Sequence, residues 1–163
     1  MDPITIAIII LTTAAVIACW PYIVNLFSQT IIPFVRERIS PTVADYIADI
    51  ISFADGKLVP IRQQLKKAWR VFNETLLGCK TIYEKQGPNK LKAVTKFVTR
   101  NDNGKIEMSQ FEEIVEWDDL PESIRSEITK QNKDGGELDV RKAVQTKVRE
   151  IAETNKLLEV LEN

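Results

Sequence analysis

The chain has 163 residues, with 22 Lys or Arg against 23 Asp or Glu, two Cys and no His. That length allows about one domain, and the lack of His excludes an imidazole-based catalytic triad or zinc site. The net charge of −1 hides a division, because residues 36–105 hold 14 cations against 7 acids and residues 106–163 hold 8 against 15.

The first segment carries no charge from Pro3 to Val35. A bilayer span needs about 20 apolar residues, so Ile4 to Phe27 is expected to be a transmembrane helix, with Trp20 and Tyr22 at headgroup level beside Pro21. Arg36 and Arg38 follow immediately and no cation precedes, which predicts a single-pass protein of the cell membrane with its C-terminal part cytoplasmic. Two alternatives compete with this. Val16-Ile17-Ala18-Cys19 has the outline of a lipoprotein cleavage box, although Met1-Asp2-Pro3-Ile4-Thr5 lacks the positive charge of a secretory signal. A buried core helix is the other. Residues 1–39 are read as anchor and juxtamembrane segment.

Residues 40–86 are expected to form an amphipathic helical hairpin. Ser40-Pro41 is an N-cap followed by proline at the first helical position, and Val43, Tyr46, Ile47, Ile50, Ile51 and Ala54 then recur with helical spacing up to Gly56. A second helix from Pro60 places Ile61, Leu65, Trp69, Phe72 and Leu76 on one face. Arg62, Lys66 and Arg70 form a row on another, suited to anionic lipid or another anionic ligand. Packing of the two helices against each other accounts for the apolar faces equally well. A lone Cys79 reads as a packing residue before a reactive thiol.

Residues 87–163 are expected to form an α+β domain. After Gln86-Gly87-Pro88-Asn89, the stretch Ala93 to Thr99 is rich in β-formers, and Asn103-Gly104 suits a tight hairpin turn. A turn there sets Arg100 opposite Glu107 and puts Phe97, Thr99, Ile106 and Met108 on one face. Residues 110–117 read as strand or short helix. Thr99 to Gln110 also has the outline of a calcium loop, with Gln131 to Lys142 as its partner. The first and twelfth positions hold Thr99 and Gln110 in one and Gln131 and Lys142 in the other, where carboxylates are needed. No metal or cofactor is expected.

Trp117-Asp118-Asp119-Leu120-Pro121 leads into a helix through Ile124 and Ile128. With this element, Val59-Pro60-Ile61-Arg62 and Lys66-Lys67-Ala68-Trp69, the chain resembles a group of uncharacterised small bacterial, cyanobacterial-type, single-span membrane proteins. The resemblance covers roughly half the chain and implies an N-terminal span but no known activity.

A long terminal helix is expected after Asp134-Gly135-Gly136, with Asp139 as N-cap. Val144, Val148, Ile151, Asn155 and Leu158 then follow a heptad seam, in which Val148, Ile151, Asn155 and Leu158 would join copies of the chain as a coiled coil. The fold class expected is therefore a membrane-anchored, α-rich protein with amphipathic helices and a small α+β cytoplasmic domain. The expected function is non-enzymatic: a self-associating membrane protein that binds a partner or ligand and couples this to its span. The alternatives are an antiviral-defence membrane effector gated by an anionic nucleotide, and a passive scaffold subunit. The partners expected are the lipid bilayer, further copies of the chain and an anionic ligand or protein. No stacking-aromatic cluster supports nucleic acid.

Overall fold

The computed structural model describes residues 9–10, 17–131 and 134–162. Apolar residues recur every four positions at Cys19, Ile23, Phe27, Ile31 and Val35, and all five are buried. At 3.6 residues per turn, four residues overshoot a full turn by about 40°, so such a stripe drifts around a straight α-helix. The chain answers with α1 (Trp20–Leu26), a π turn (Phe27–Ile31) and α2 (Ile32–Arg38). The wider π turn takes the rotation back and keeps the stripe on one side. It also precedes Pro33, whose nitrogen cannot donate to the carbonyl four residues earlier. Pro21 lies in the first turn of α1, where a missing N–H costs no helical bond.

These residues correct the membrane expectation. No helix among the described residues is long and apolar enough to cross a membrane. The physical reason is that the apolar stripe is used inside the molecule: Trp20, Ile23, Phe27, Ile31 and Val35 belong to the protein's own core. The Trp20 indole Nε1 donates to Asp55 Oδ1 at 2.8 Å. The Tyr83 hydroxyl donates to that of Tyr22 at 3.0 Å. Ile9–Ile10 form a short strand, β1. The membrane-anchored fold class, the single-pass topology and the cell-membrane location are withdrawn on this ground. Residues 4–8 and 11–16 of the expected span lie outside the described residues.

Helix α3 (Pro41–Ala54) starts as read, with the Ser40 hydroxyl accepting from the N–H groups of Thr42 and Val43. Helix α4 (Arg62–Thr75) buries Leu65, Ala68, Trp69 and Phe72 and packs along α3. It stops earlier than expected. Leu76 turns to extended backbone, and Leu76–Gly87 is strand β2, which corrects the helical assignment up to residue 86. Cys79, Thr81 and Tyr83 alternate inward along it, the period of a strand with one covered face.

Strands β3 (Lys90–Arg100) and β4 (Ile106–Glu116) follow, then a 3-10 turn at Trp117–Asp119, α5 (Glu122–Gln131), β5 (Gly135–Asp139) and α6 (Val140–Thr154). The sheet order is β1-β5-β2-β3-β4, with β1 parallel to β5 and every other pairing antiparallel. A Cβ at Gly135 would run into the Tyr83 carbonyl oxygen, so only glycine lets β5 approach β2 there. The result is an α+β fold whose helices cover one sheet face, where Tyr83, Phe97, Thr95, Leu91 and Leu138 are buried.

The β3–β4 hairpin forms, but one residue away from the expected register. Thr99 lies opposite Glu107 and Arg100 opposite Ile106, because the Asn101 side chain accepts from the N–H groups of Asn103 and Lys105 and closes a longer loop. A one-residue slip exchanges faces, so Ile106 and Met108 leave Phe97's face and join Val98 on the other. The Thr99 to Gln110 stretch is thus strand, loop and strand, and residues 110–116 are strand.

Asp139 caps α6, its carboxylate accepting from Lys142 N–H at 3.0 Å. The helix ends at Thr154, and Lys156 has φ 59°, a left-handed conformation that stops helical continuation. A separate short helix, α7 (Leu158–Glu162), follows. The expected long seam is therefore broken at Asn155. Val148 is fully buried, Ile151 and Leu158 pack onto the same core, and the exposed Asn155 amide turns back to the Ile151 carbonyl.

Candidate anion-binding groove

The row of cations read from the sequence is exposed on α4. Arg62 meets Glu159 of α7 at 3.4 Å, and Lys66 shares a shallow hollow with these two residues, so one of the three charges already has a carboxylate. Arg70 does not line that hollow.

A stronger gathering of charge forms where the open sheet face meets α6. There a groove of about 480 Å³ is lined by Lys80, Lys96, Arg141, Lys142 and Arg149, with Asp139 as its one acid. Gly78, Val98 and Met108 contribute its uncharged side. Each cation is brought in by simple local geometry. Lys80 and Lys96 stand directly opposite each other across β2 and β3, while Lys142, Thr146 and Arg149 share one side of α6 at helical spacing.

Arg141 is fixed by a bulge. The β2–β3 register slips between Leu76 and Gly78, and the Arg141 guanidinium donates through Nε to the Leu76 carbonyl at 2.6 Å. Its Nη2 also donates to the Asn73 carbonyl and to Asn73 Oδ1. Asn73 Oδ1 further accepts from Gln145 Nε2 at 2.9 Å, so the helix start and the strand start are locked together.

The balance of charge in the groove is incomplete. Like charges directly opposite on a sheet are destabilising, and the Lys80–Lys96 pair is relieved on one side only, by Glu137 at 3.3 Å from Lys80 Nζ. None of the ion pairs among the described residues involves Lys96, Lys142 or Arg149. A smaller hollow of about 310 Å³ at the far end of the β2–β3 hairpin mixes Lys85 and Lys90 with Asp134 and Trp117 and gathers no single sign of charge.

Cys79 also borders the groove, but burial keeps both cysteines unreactive. Burial pushes the Cys19 thiol up to about 11 and the Cys79 thiol up to about 12, so both are protonated near neutral pH and are poor nucleophiles.

Sequence reasoning missed this groove because its cations are spread over three elements. The available signal was the alternation of Lys80 with Thr81 and of Lys96 with Phe97, which marks both lysines as outward on a strand. At Lys80 the apolar helical spacing that runs on through Leu76 masks it. No family model matches the chain, and no curated protein or solved structure is significantly similar to it. The resemblance drawn through Trp117-Asp118-Asp119-Leu120-Pro121 thus adds nothing to the groove.

Proposed function

We propose that the protein is a non-catalytic binding module that captures a phosphate-bearing small molecule in the groove between β2, β3 and α6. The observation that carries this is the opposed Lys80–Lys96 pair with Lys142 and Arg149 beside it, a cluster whose mutual repulsion a bound anion would relieve. Thr146 and Gln145 add polar side chains to the wall, and the uncharged side formed by Val98 and Met108 suits a ligand with an apolar or planar part. The protonated, buried thiols and the lack of His favour recognition over catalysis.

Titration with ATP, followed by calorimetry, tests the proposal. Binding should weaken at least about tenfold between 0.05 and 0.5 M salt as screening shortens. It should be lost in the combined variant Lys96→Ser, Lys142→Ser, Arg149→Ser, and should survive in Arg62→Ser, Lys66→Ser, Arg70→Ser. Equal loss in both triple variants would reduce the groove to one part of a diffuse positive surface, and inorganic phosphate binding as tightly as ATP would remove the role given to Val98 and Met108.

A further inference from the structure

Strand β4 closes the sheet on one side, and no described strand pairs with its outer edge. It is regular over eleven residues, with no bulge in its pairing to β3. Natural edge strands are commonly shortened, bulged or covered, since free backbone groups invite pairing. This one also carries apolar side chains in the open: Met108 is 71% exposed, Ile114 59%, Ile106 58% and Phe111 40%.

The direction of its backbone groups follows from the two bonds that frame the hairpin. Asn101 N–H donates to the Lys105 carbonyl, and Trp117 N–H donates to the Asn89 carbonyl. Antiparallel ladders alternate in steps of two, so the odd-numbered residues of β4 turn their N–H and C=O groups to β3. The even-numbered residues, Ile106 through Glu116, turn theirs to the free edge.

We infer that β4 pairs antiparallel with β4 of a second copy, centred on Phe111, joining two sheets into one. The sequence of the strand is self-complementary in that register. Met108 falls opposite Ile114, Gln110 opposite Glu112, Ser109 opposite Glu113, Glu107 opposite Val115, and Phe111 opposite its own counterpart. All eleven residues pair, and no carboxylate faces another. Sliding the centre to Gln110 sets Glu107 against Glu113, and sliding it to Glu112 sets that residue against itself, arrangements that cost stability.

Two of the four acids of β4 are already compensated within each copy, since Lys92 lies 3.6 Å from Glu112 and Lys90 lies 4.0 Å from Glu116, and Glu107 accepts from Asn101 Nδ2 at 3.4 Å. The even-numbered residues would form the hydrogen-bonded pairs, giving about a dozen new backbone bonds. Phe111 would sit at a non-hydrogen-bonded pair, where side chains approach most closely. It already stacks on Phe97 and meets Phe34 edge-on, so two aromatic clusters would merge across the two-fold axis.

Light scattering behind size exclusion, on the whole chain at concentrations up to about 1 mM, the weak end of specific association, provides the first measurement. A dimer should appear, and Gln110→Pro should abolish it with an unchanged far-UV spectrum. That substitution deletes an N–H on the free edge and leaves the ladder to β3 intact, as edge-strand prolines do. Register is read by disulfide trapping with oxidised glutathione: Phe111→Cys should cross-link to itself, because Cα atoms of facing non-hydrogen-bonded residues lie about 4.5 Å apart. Gln110→Cys should cross-link with Glu112→Cys in a mixture but only slowly with itself. A wild-type chain that stays monomeric throughout overturns the proposal and leaves the edge to a different partner. A dimer that persists in Gln110→Pro, or cross-links only at another register, overturns it as well.

Discussion

Strands β3 and β4 are each eleven residues long and pair residue for residue, yet they meet very different surroundings. Along β3, Leu91, Ala93, Thr95, Phe97 and Thr99 are all buried beneath the helical layer. Along β4, the residues opposite them are Val115, Glu113, Phe111, Ser109 and Glu107, and none is buried. The helical layer meets β4 at Phe111, which Phe34 touches edge-on, while Val115 packs against the same core. Stability is therefore concentrated at β2 and β3, while β4 keeps apolar side chains and backbone groups available for recognition. One ladder holds β4 in place, and no described strand pairs with its other edge.

Truncation on the two sides of the same ladder gives the largest contrast. Phe97→Ala should cost about 3–5 kcal/mol, the usual range for a buried phenylalanine, because Phe97 is fully buried and touches both Phe34 and Phe111. Met108→Ala, beside it on the opposite sheet face, should change stability by under about 0.5 kcal/mol in dilute solution. Urea unfolding of both variants at low protein concentration measures this. A Met108→Ala loss comparable to that of Phe97→Ala would mean that the outer face is covered too, and the contrast between the strands would collapse.

The depth of burial at the centre can be sharpened with the thiol of Cys79, which pairs with Phe97 on the inner face. Burial raises its pKa from 9.0 to about 12, and the Asp139 carboxylate pushes in the same direction. Below pH 9 the thiol is protonated whether the chain is folded or not, so it adds no pH dependence. Between pH 9 and about 12 only the unfolded chain gives up the proton, and stability should fall by about 1.4 kcal/mol per pH unit from this group. Unfolding midpoints at pH 8 and pH 10 should therefore diverge more in the wild-type chain than in Cys79→Ala. Matching pH slopes in the two proteins would place the thiol in contact with solvent.

Local signals carried over from sequence to structure, and long-range ones did not. Ser40 and Asp139 were legible as helix caps because a cap is settled by a bond to an N–H two or three residues away. The end of α4 was not, since Leu76 continues the apolar spacing of Leu65, Trp69 and Phe72 and only its pairing with Thr99 makes it strand. Residues 17–27 end a stretch that looks like membrane helix by composition, but the four-residue stripe from Cys19 to Val35 is buried in the protein's own core, which no local rule could supply. The hairpin was legible and its register was not, because the Asn101 side chain decides the loop length. The groove depends on β2, β3 and α6 at once, so its cations stayed scattered in the sequence while Arg62, Lys66 and Arg70, adjacent on one helix, stood out.

The smallest expected effects come from a single face of β3 and carry opposite signs. Thr95 and Thr81 share a buried hydrogen bond at 2.9 Å between their hydroxyls, whereas the Thr99 hydroxyl is buried without a partner among the described residues. Valine has nearly the same shape as threonine and no hydroxyl, so the same replacement tests both settings. Thr95→Val should cost about 1 kcal/mol, because it strands the Thr81 hydroxyl in the core. Thr99→Val should instead stabilise by up to about 1 kcal/mol, since it removes a polar atom whose desolvation nothing offsets. Thermal unfolding of the two variants side by side measures the sign. A loss at Thr99 equal to that at Thr95 would show that its hydroxyl is bonded in solution, with an ordered water as the simplest partner, and that the covered face of β3 is satisfied along its whole length.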